Sequence, residues 1–132
     1  MEYIELSPTA NYKSWETKRL QELRKKDYST DLGQNLLFEN ADFRLWDLKL
    51  EHKERLRFRE LKNDFSYTCI NDGCGVIHLG DGRIMYSQFK RGTVHFVEIP
   101  QNESLIIDIE NSGLETLKLV LTEILLPTET FI

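Results

Sequence analysis

Glu54-Arg55-Leu56-Arg57-Phe58-Arg59-Glu60-Leu61-Lys62-Asn63-Asp64-Phe65-Ser66-Tyr67-Thr68-Cys69-Ile70-Asn71-Asp72-Gly73 is the stretch on which the fold turns. Two β-prone runs, Leu56–Leu61 and Phe65–Ile70, flank the polar Lys62-Asn63-Asp64, and the second closes on the turn former Asn71-Asp72-Gly73. Side chains two apart on a strand share a face. Arg57, Arg59 and Leu61 therefore point one way, and Phe65, Tyr67 and Cys69 point together on the returning strand. A strand that turns and returns with one aromatic, apolar face reads as antiparallel sheet around an interior.

The same punctuation continues on both sides. Downstream, Asp81-Gly82 is a hairpin signal between Gly75–Leu79 and Ile84–Phe89. Arg91-Gly92 leads into Thr93–Ile99, Pro100 breaks that run, and Leu105–Ile109 resumes. Asn111-Ser112-Gly113 then turns into Leu117–Leu126, ahead of an irregular tail, Pro127–Ile132. Upstream, Asn35–Phe38 and Phe43–Leu50 flank Glu39-Asn40-Ala41-Asp42, and the imperfect alternation at Leu45-Trp46 predicts a bulge. Glu51–Glu54 makes the next turn.

Ahead of Gly33 the pattern changes. Ser14 reads as an N-cap for a helix over Trp15–Lys26, with Glu16 in its first turn and basic residues in its last. Trp15, Leu20 and Leu23 fall on one stripe, while Lys13, Lys18, Arg19, Arg24, Lys25 and Lys26 decorate the rest. A solvated helix packed on a sheet by that stripe accounts for the charge better than an anion-binding patch. Residues 1–13, with Ile4 and Leu6 between acids, read as an arm or edge strand. The chain divides into an arm and helix, residues 1–33, and a sheet body, residues 34–132. Nine short strands after one helix predict an all-β fold, an antiparallel barrel or double-sheet jelly roll with one short N-terminal α-helix.

Length and composition bound the function. The 132 residues suit one domain that buries roughly two-thirds of its extended surface. Hydrophobic content of 40% and charged content of 30% describe a globular chain, and the net charge of −5 argues against a nucleic-acid partner. No apolar run is long enough to span a membrane, and Met1-Glu2-Tyr3-Ile4-Glu5 lacks the basic start of a signal peptide, so a cytoplasmic protein is expected. Cys69 and Cys74 flank the Asn71-Asp72-Gly73 turn, which suggests paired strands. Reduced, inert thiols are the expected state, with an oxidised pair the alternative. Two thiolates alone leave a zinc ion half bound.

With these residues in place, the chain from about Leu36 to Leu126 resembles a small single-domain cupin of the RmlC-like jelly-roll superfamily. It is most similar to short bacterial cupins associated with β-alanine degradation. The resemblance rests on Leu37-Phe38-Glu39-Asn40, Phe43-Arg44-Leu45-Trp46, Glu54-Arg55-Leu56, Asp81-Gly82-Arg83, Arg91-Gly92-Thr93-Val94-His95-Phe96 and Asp108-Ile109-Glu110-Asn111-Ser112-Gly113, in that order. It implies a barrel that commonly pairs as a homodimer, with Trp46 and the Ile4/Leu6 arm available for the contact. It also implies a His-x-His pair, a Glu and a further His converging on a divalent metal. Laid on this chain, the His pair falls on Arg59 and Leu61, the second-motif His on Ile107, and the carboxylate region on Phe65 and Ser66. None of these can hold a cation, so neither metal nor cofactor is expected.

The three histidines do not rebuild such a site. His52 falls in a turn and His78 on a strand, where surface or strand-filling roles suffice. His95 could face the interior and accept a proton, as in metal-free sugar epimerases of the superfamily. The expected pocket is lined by Arg59, Leu61, Phe65, Tyr67, Cys69 and Ile107, with Arg57 facing inward by parity and Leu105 and Ile109 beside Ile107. Arg59 could hold a small anionic metabolite, or it could reach the mouth or pair with Glu60 or Asp64 in a filled barrel. An unpaired buried guanidinium is unfavourable, so it must have a partner either way. Four functions stand open: a metal-free binding or accessory protein, a metal-independent isomerase using His95 or Tyr67, a metal-dependent dioxygenase-like protein with atypical ligands, and, if the barrel is packed solid, a scaffold.

Overall fold

A computed structural model describes residues 2–7 as a backbone strand and residues 11–125 in full. The elements in chain order are β1 (Glu2–Ser7), α1 (Thr17–Lys25), β2 (Asn35–Glu39), β3 (Phe43–Leu50), β4 (Arg55–Leu61), β5 (Phe65–Cys69), β6 (Gly73–Leu79), β7 (Ile84–Phe89), β8 (Val94–Val97), β9 (Leu105–Asn111) and β10 (Leu117–Ile124). They build two five-stranded sheets, ordered β1-β7-β6-β9-β4 and β2-β3-β10-β5-β8, with every named strand pair antiparallel. The architecture is therefore the double-sheet jelly roll. The all-β expectation holds, and the nine strands stand where the turns place them. The arm is an edge strand, β1 on β7; the side chains of Ile4 and Leu6, and the tail Pro127–Ile132, lie outside the described residues.

Strands β5 and β10 alternate as half-buried strands should. On β5, Phe65, Tyr67 and Cys69 are buried between less buried Ser66 and Thr68. On β10, Leu117, Leu119, Leu121 and Glu123 face the interior. They meet Leu48, Leu50 and Trp46 of β3, together with Leu61 and Phe89 from the other sheet, in one core. Turns need their special residues: Gly82 (φ 101°) closes the β6–β7 hairpin, and Gly92 (φ 81°) turns β7 into β8.

Four local expectations are corrected. The strands β4 and β5 of the opening stretch belong to opposite sheets, as do Cys69 on β5 and Cys74 on β6, so the thiols are free and not on paired strands. The extra residue at the expected bulge is in β2, where Leu36 pairs with Trp46 and Phe38 with Leu45. A second register shift, between Leu56 and Arg59, turns Arg57 out to solvent and Phe58 toward the helix. Finally, Trp46 is buried and donates Nε1–H to Glu123 Oε1 at 3.0 Å, so it is not available to a partner chain.

The helix starts later than its sequence suggests. Glu16 occupies the N-cap in extended conformation, and Ser14 lies in the turn before it. Trp15 precedes the helix, yet it stacks on Phe58 with ring centroids 5.9 Å apart, and its Nε1–H reaches the Gly82 carbonyl at 3.1 Å. Trp15, Leu23, Phe58 and Ile84 form a second core between α1 and the outer face of the first sheet. Among the described residues no helix is long and apolar enough to cross a membrane.

A charge network pins α1 beside that core. Asp108 of β9, with no exposed side-chain surface, accepts from Arg55 Nε at 2.7 Å, from the His78 backbone N–H at 2.8 Å and from His78 Nδ1 at 3.0 Å. Arg19 Nε lies 3.0 Å from the same carboxylate, too obliquely for a hydrogen bond, while its Nη2 donates to Glu110 at 2.7 Å. With its Nδ1 proton on Asp108, His78 accepts at Nε2 from Arg19 Nη1, 3.2 Å away. Arg19 thus leaves the solvated face it was assigned, and His78 is a buried structural residue. Arg55 also clasps both oxygens of Glu22 at 2.8 and 2.9 Å.

Burial works against the Glu22 charge. The hydrogen bonds from Arg55 and the Phe58 N–H, with the fields of Arg55 and Arg57, outweigh it and hold the carboxyl down at about 2, against 4.5 when unfolded. Because the folded value is the lower one, this contribution is complete above about pH 4.5 and is lost as pH falls toward 2. Denaturant melts of Glu22→Gln should show a shallower loss of stability than wild type across that window, and parallel slopes would remove Glu22 from the acid transition.

Candidate functional site: a cavity between the sheets

The two inner faces do not fill the space between them. A cavity of about 310 Å³ opens there, far larger than the voids of a close-packed interior. Its wall is hydrocarbon for most of its extent: Leu32, Leu48, Leu56, Leu61, Phe65, Leu79, Val97, Leu105, Ile107, Ile109, Leu119 and Leu121 all contribute. Arg59, Leu61, Phe65, Tyr67 and Ile107, all singled out from sequence, are brought together on this wall. Cys69 is buried in the adjoining core but does not line the cavity. Parity explains the assembly, since β9 turns Leu105, Ile107 and Ile109 inward while Ile106 and Asp108 face the helix side.

Arg59 is 8% exposed, and it finds its partners in the backbone. Nε–H donates to the Arg57 carbonyl at 3.0 Å and Nη1–H to the Asp31 carbonyl at 2.6 Å, tying β4 to the segment that also bridges at Ser29. Among the described residues it makes no ion pair, with Glu60 and Asp64 engaged elsewhere. Burial pulls its pKa below the usual guanidinium value, against the field of the nearby Asp31 carboxylate. Register puts a second guanidinium on the same level. Arg59 pairs with Ile107, Ile107 with Leu79, and the Leu79 N–H donates to the Arg83 carbonyl at 2.9 Å. Arg83 is partly exposed and held by Asp81, whose carboxylate accepts from its Nε at 2.9 Å.

His95 and Tyr67 meet across the β5–β8 pair, with ring centroids 5.1 Å apart. Tyr67 lines the cavity, whereas His95 sits behind it, its Nε2 buried and without a hydrogen-bond partner among the described residues. Burial lowers the His95 pKa and raises that of Tyr67 well above the ordinary phenol value, so both rings are neutral near pH 7. His52, in the turn before β4, is exposed and touches the Gly113 carbonyl.

Sequence reasoning missed Ser87 on β7. Its residue is fully buried on the cavity wall, and its Oγ has no hydrogen-bond partner among the described residues. A signal was present: Met85, Ser87 and Phe89 share the inner face of Ile84–Phe89, and Ser87 is its one polar member.

No family model matches the chain, and no curated protein matches it. Solved structures do. A cupin domain from Bordetella pertussis Tohama I superposes with a TM-score of 0.60 at 14% identity, over 68% of this chain and 88% of that one. An RmlC-like cupin family protein with a double-stranded β-helix fold from Methanocaldococcus jannaschii gives 0.56 at 14% identity, over 75% and 84%. A conserved protein with a double-stranded β-helix domain from Klebsiella pneumoniae gives 0.55 at 14%, over 77% and 85%. The chain has the cupin fold, an RmlC-like double-stranded β-helix.

The metal that this fold often carries does not fit the residues here. Arg59 and Ile107 face each other in register, Leu61 is the next residue of β4 on the same face, and none offers a donor to a cation. Among the described residues no three His, Cys, Asp or Glu side chains gather as ligands. The arrangement can instead enclose a small apolar body beside a buried positive charge. Enlarging one wall residue tests whether the space is accessible. Ile107→Phe should hold or raise the melting temperature while reducing uptake of an apolar fluorescent probe, and a marked fall in melting temperature would mean the site was already filled.

Proposed function

We propose that this protein is a metal-free, non-catalytic cupin-fold binding protein whose ligand is a small molecule with an apolar body and one anionic group. The observation that carries the reading is Arg59, a buried guanidinium on a mostly hydrocarbon-walled cavity with no carboxylate paired to it among the described residues. Its Nε and Nη1 are spent on backbone carbonyls, which are neutral, and the Asp31 carboxylate acts on it through its field without an ion pair. A carboxylate entering the cavity gains a charge-assisted bond in a medium of low dielectric, and its hydrocarbon part gains burial of roughly 25 cal/mol per Å². The metal-dependent alternative finds no donor set in the cavity to support it. For the isomerase alternative, the unpaired Nε2 of His95 behind Tyr67 is the supporting feature; its distance from the wall and the raised Tyr67 pKa count against it. A cytoplasmic setting belongs to the proposal, and the free thiols of Cys69 and Cys74 suit a reducing compartment.

Calorimetry with octanoate and octanol tests the charge preference. The acid should bind at least tenfold more tightly, and Arg59→Met should erase that ratio; equal affinity of wild type for the two, or binding of neither, overturns the reading.

We further propose that two copies of the chain associate as a homodimer. Val94 and Phe96 on β8, and Phe38 on β2, are each more than half exposed at the two edges of the second sheet, apolar surface of the kind a partner covers. Light scattering at micromolar concentration should give the dimer mass, and a monomer mass throughout would reject the association.

A further inference from the structure

The cavity wall carries one hydroxyl that no other described residue uses. Ser87 has no exposed surface, its Oγ lacks a partner among the described residues, and its neighbours on the same face of β7, Met85 and Phe89, are apolar. A buried hydroxyl without a hydrogen bond is unfavourable. The group is better placed to meet something that arrives with its own polar atom.

Strand register locates it relative to the guanidiniums. The level of Arg59, Ile107, Leu79 and Arg83 is followed inward by Ile109, Ile77 and Met85, and then by Asn111, Gly75 and Ser87. Arg83 and Ser87 are four residues apart on one inner face, which places the two levels about 13 Å apart along the strands. Phe89, two residues further on, and Leu117 and Leu50 lie beyond this depth in the core. The polar side chains on the cavity wall are thus Arg59 and Arg83 at one level, Tyr67 and Asp108, and Ser87 about two strand levels further in, and of these only Ser87 has a hydroxyl without a partner among the described residues.

We propose that Ser87 is a specificity-determining residue, and that the ligand is a medium-chain acid bearing a second polar oxygen, a hydroxyl or oxo group, far from its carboxylate. Arg59 holds the ionised end, and the Ser87 hydroxyl donates to, or accepts from, the distal oxygen. Plain fatty acids of the same length fill the cavity but leave Ser87 unpaired. This inference rests on the binding function proposed above and adds the chemical class of its ligand.

The test compares octanoate with its ω-hydroxy derivative by calorimetry, on wild type and on Ser87→Ala. Wild type should favour the hydroxy acid by tenfold or more. Ser87→Ala should abolish that ratio while binding octanoate at least as well as wild type. The variant should also melt no lower than wild type without ligand, because it removes a hydroxyl that has no bond to lose. If both acids bind equally and Ser87→Ala changes neither, Ser87 is not a reader and the binding function stands without it. If neither acid binds wild type, both proposals fall together. A lowered melting temperature in Ser87→Ala would show that the hydroxyl is satisfied within the fold, and would overturn the inference directly.

Discussion

Asp108 ties the two halves of this chain together. Its carboxylate, entirely out of solvent, lies against two guanidiniums and an imidazole drawn from α1, β4 and β6. A charge so buried is tolerable only with such partners, and it fixes the register of β9 absolutely. A slip by one residue would push Asp108 into a hydrocarbon cavity and expose Ile107 and Ile109 to the arginines beneath the helix. The same strand therefore builds the ionic seam on one side and the apolar wall on the other.

That coupling explains what was legible in the sequence and what was not. Alternation and turn residues place the strands within a residue or two, and the absence of metal donors at Arg59, Leu61 and Ile107 is a matter of residue identity alone. Parity fails only where the chain inserts an extra residue. Arg57 turns outward because the shift between Leu56 and Arg59 breaks the count, and no residue type there announces it. Arg19 was misread for a different reason, and the partners of His78 were not foreseen. Periodicity assigns a side chain to a face, but it does not reveal that the outer face of one sheet is covered by a helix. Ser87 was visible as the one polar residue on its face, and became informative only when its surroundings proved to be hydrocarbon.

The interior differs from that of a metal-binding barrel. Where a metal cupin spends its inward positions on donors, this chain spends them on leucine and isoleucine, and keeps a guanidinium braced by backbone carbonyls. That bracing matters physically, because a guanidinium with two of its donors fixed loses less freedom when an anion arrives. Rigid placement on β4, not a loop, would make such a site selective as well as receptive.

The place of β10 in the second sheet has a consequence for how the chain folds. The last of the described strands is not at an edge: it lies between β3 and β5 and pairs with both. Until Leu117–Ile124 arrives, β3 and β5 have no shared partner, and the core around Leu48, Tyr67 and Cys69 lacks Leu117, Leu119 and Leu121. Such non-local pairing is slow because loop closure precedes its reward. Folding is accordingly gated by the last strand, and the half-built second sheet before it is the state most open to aggregation.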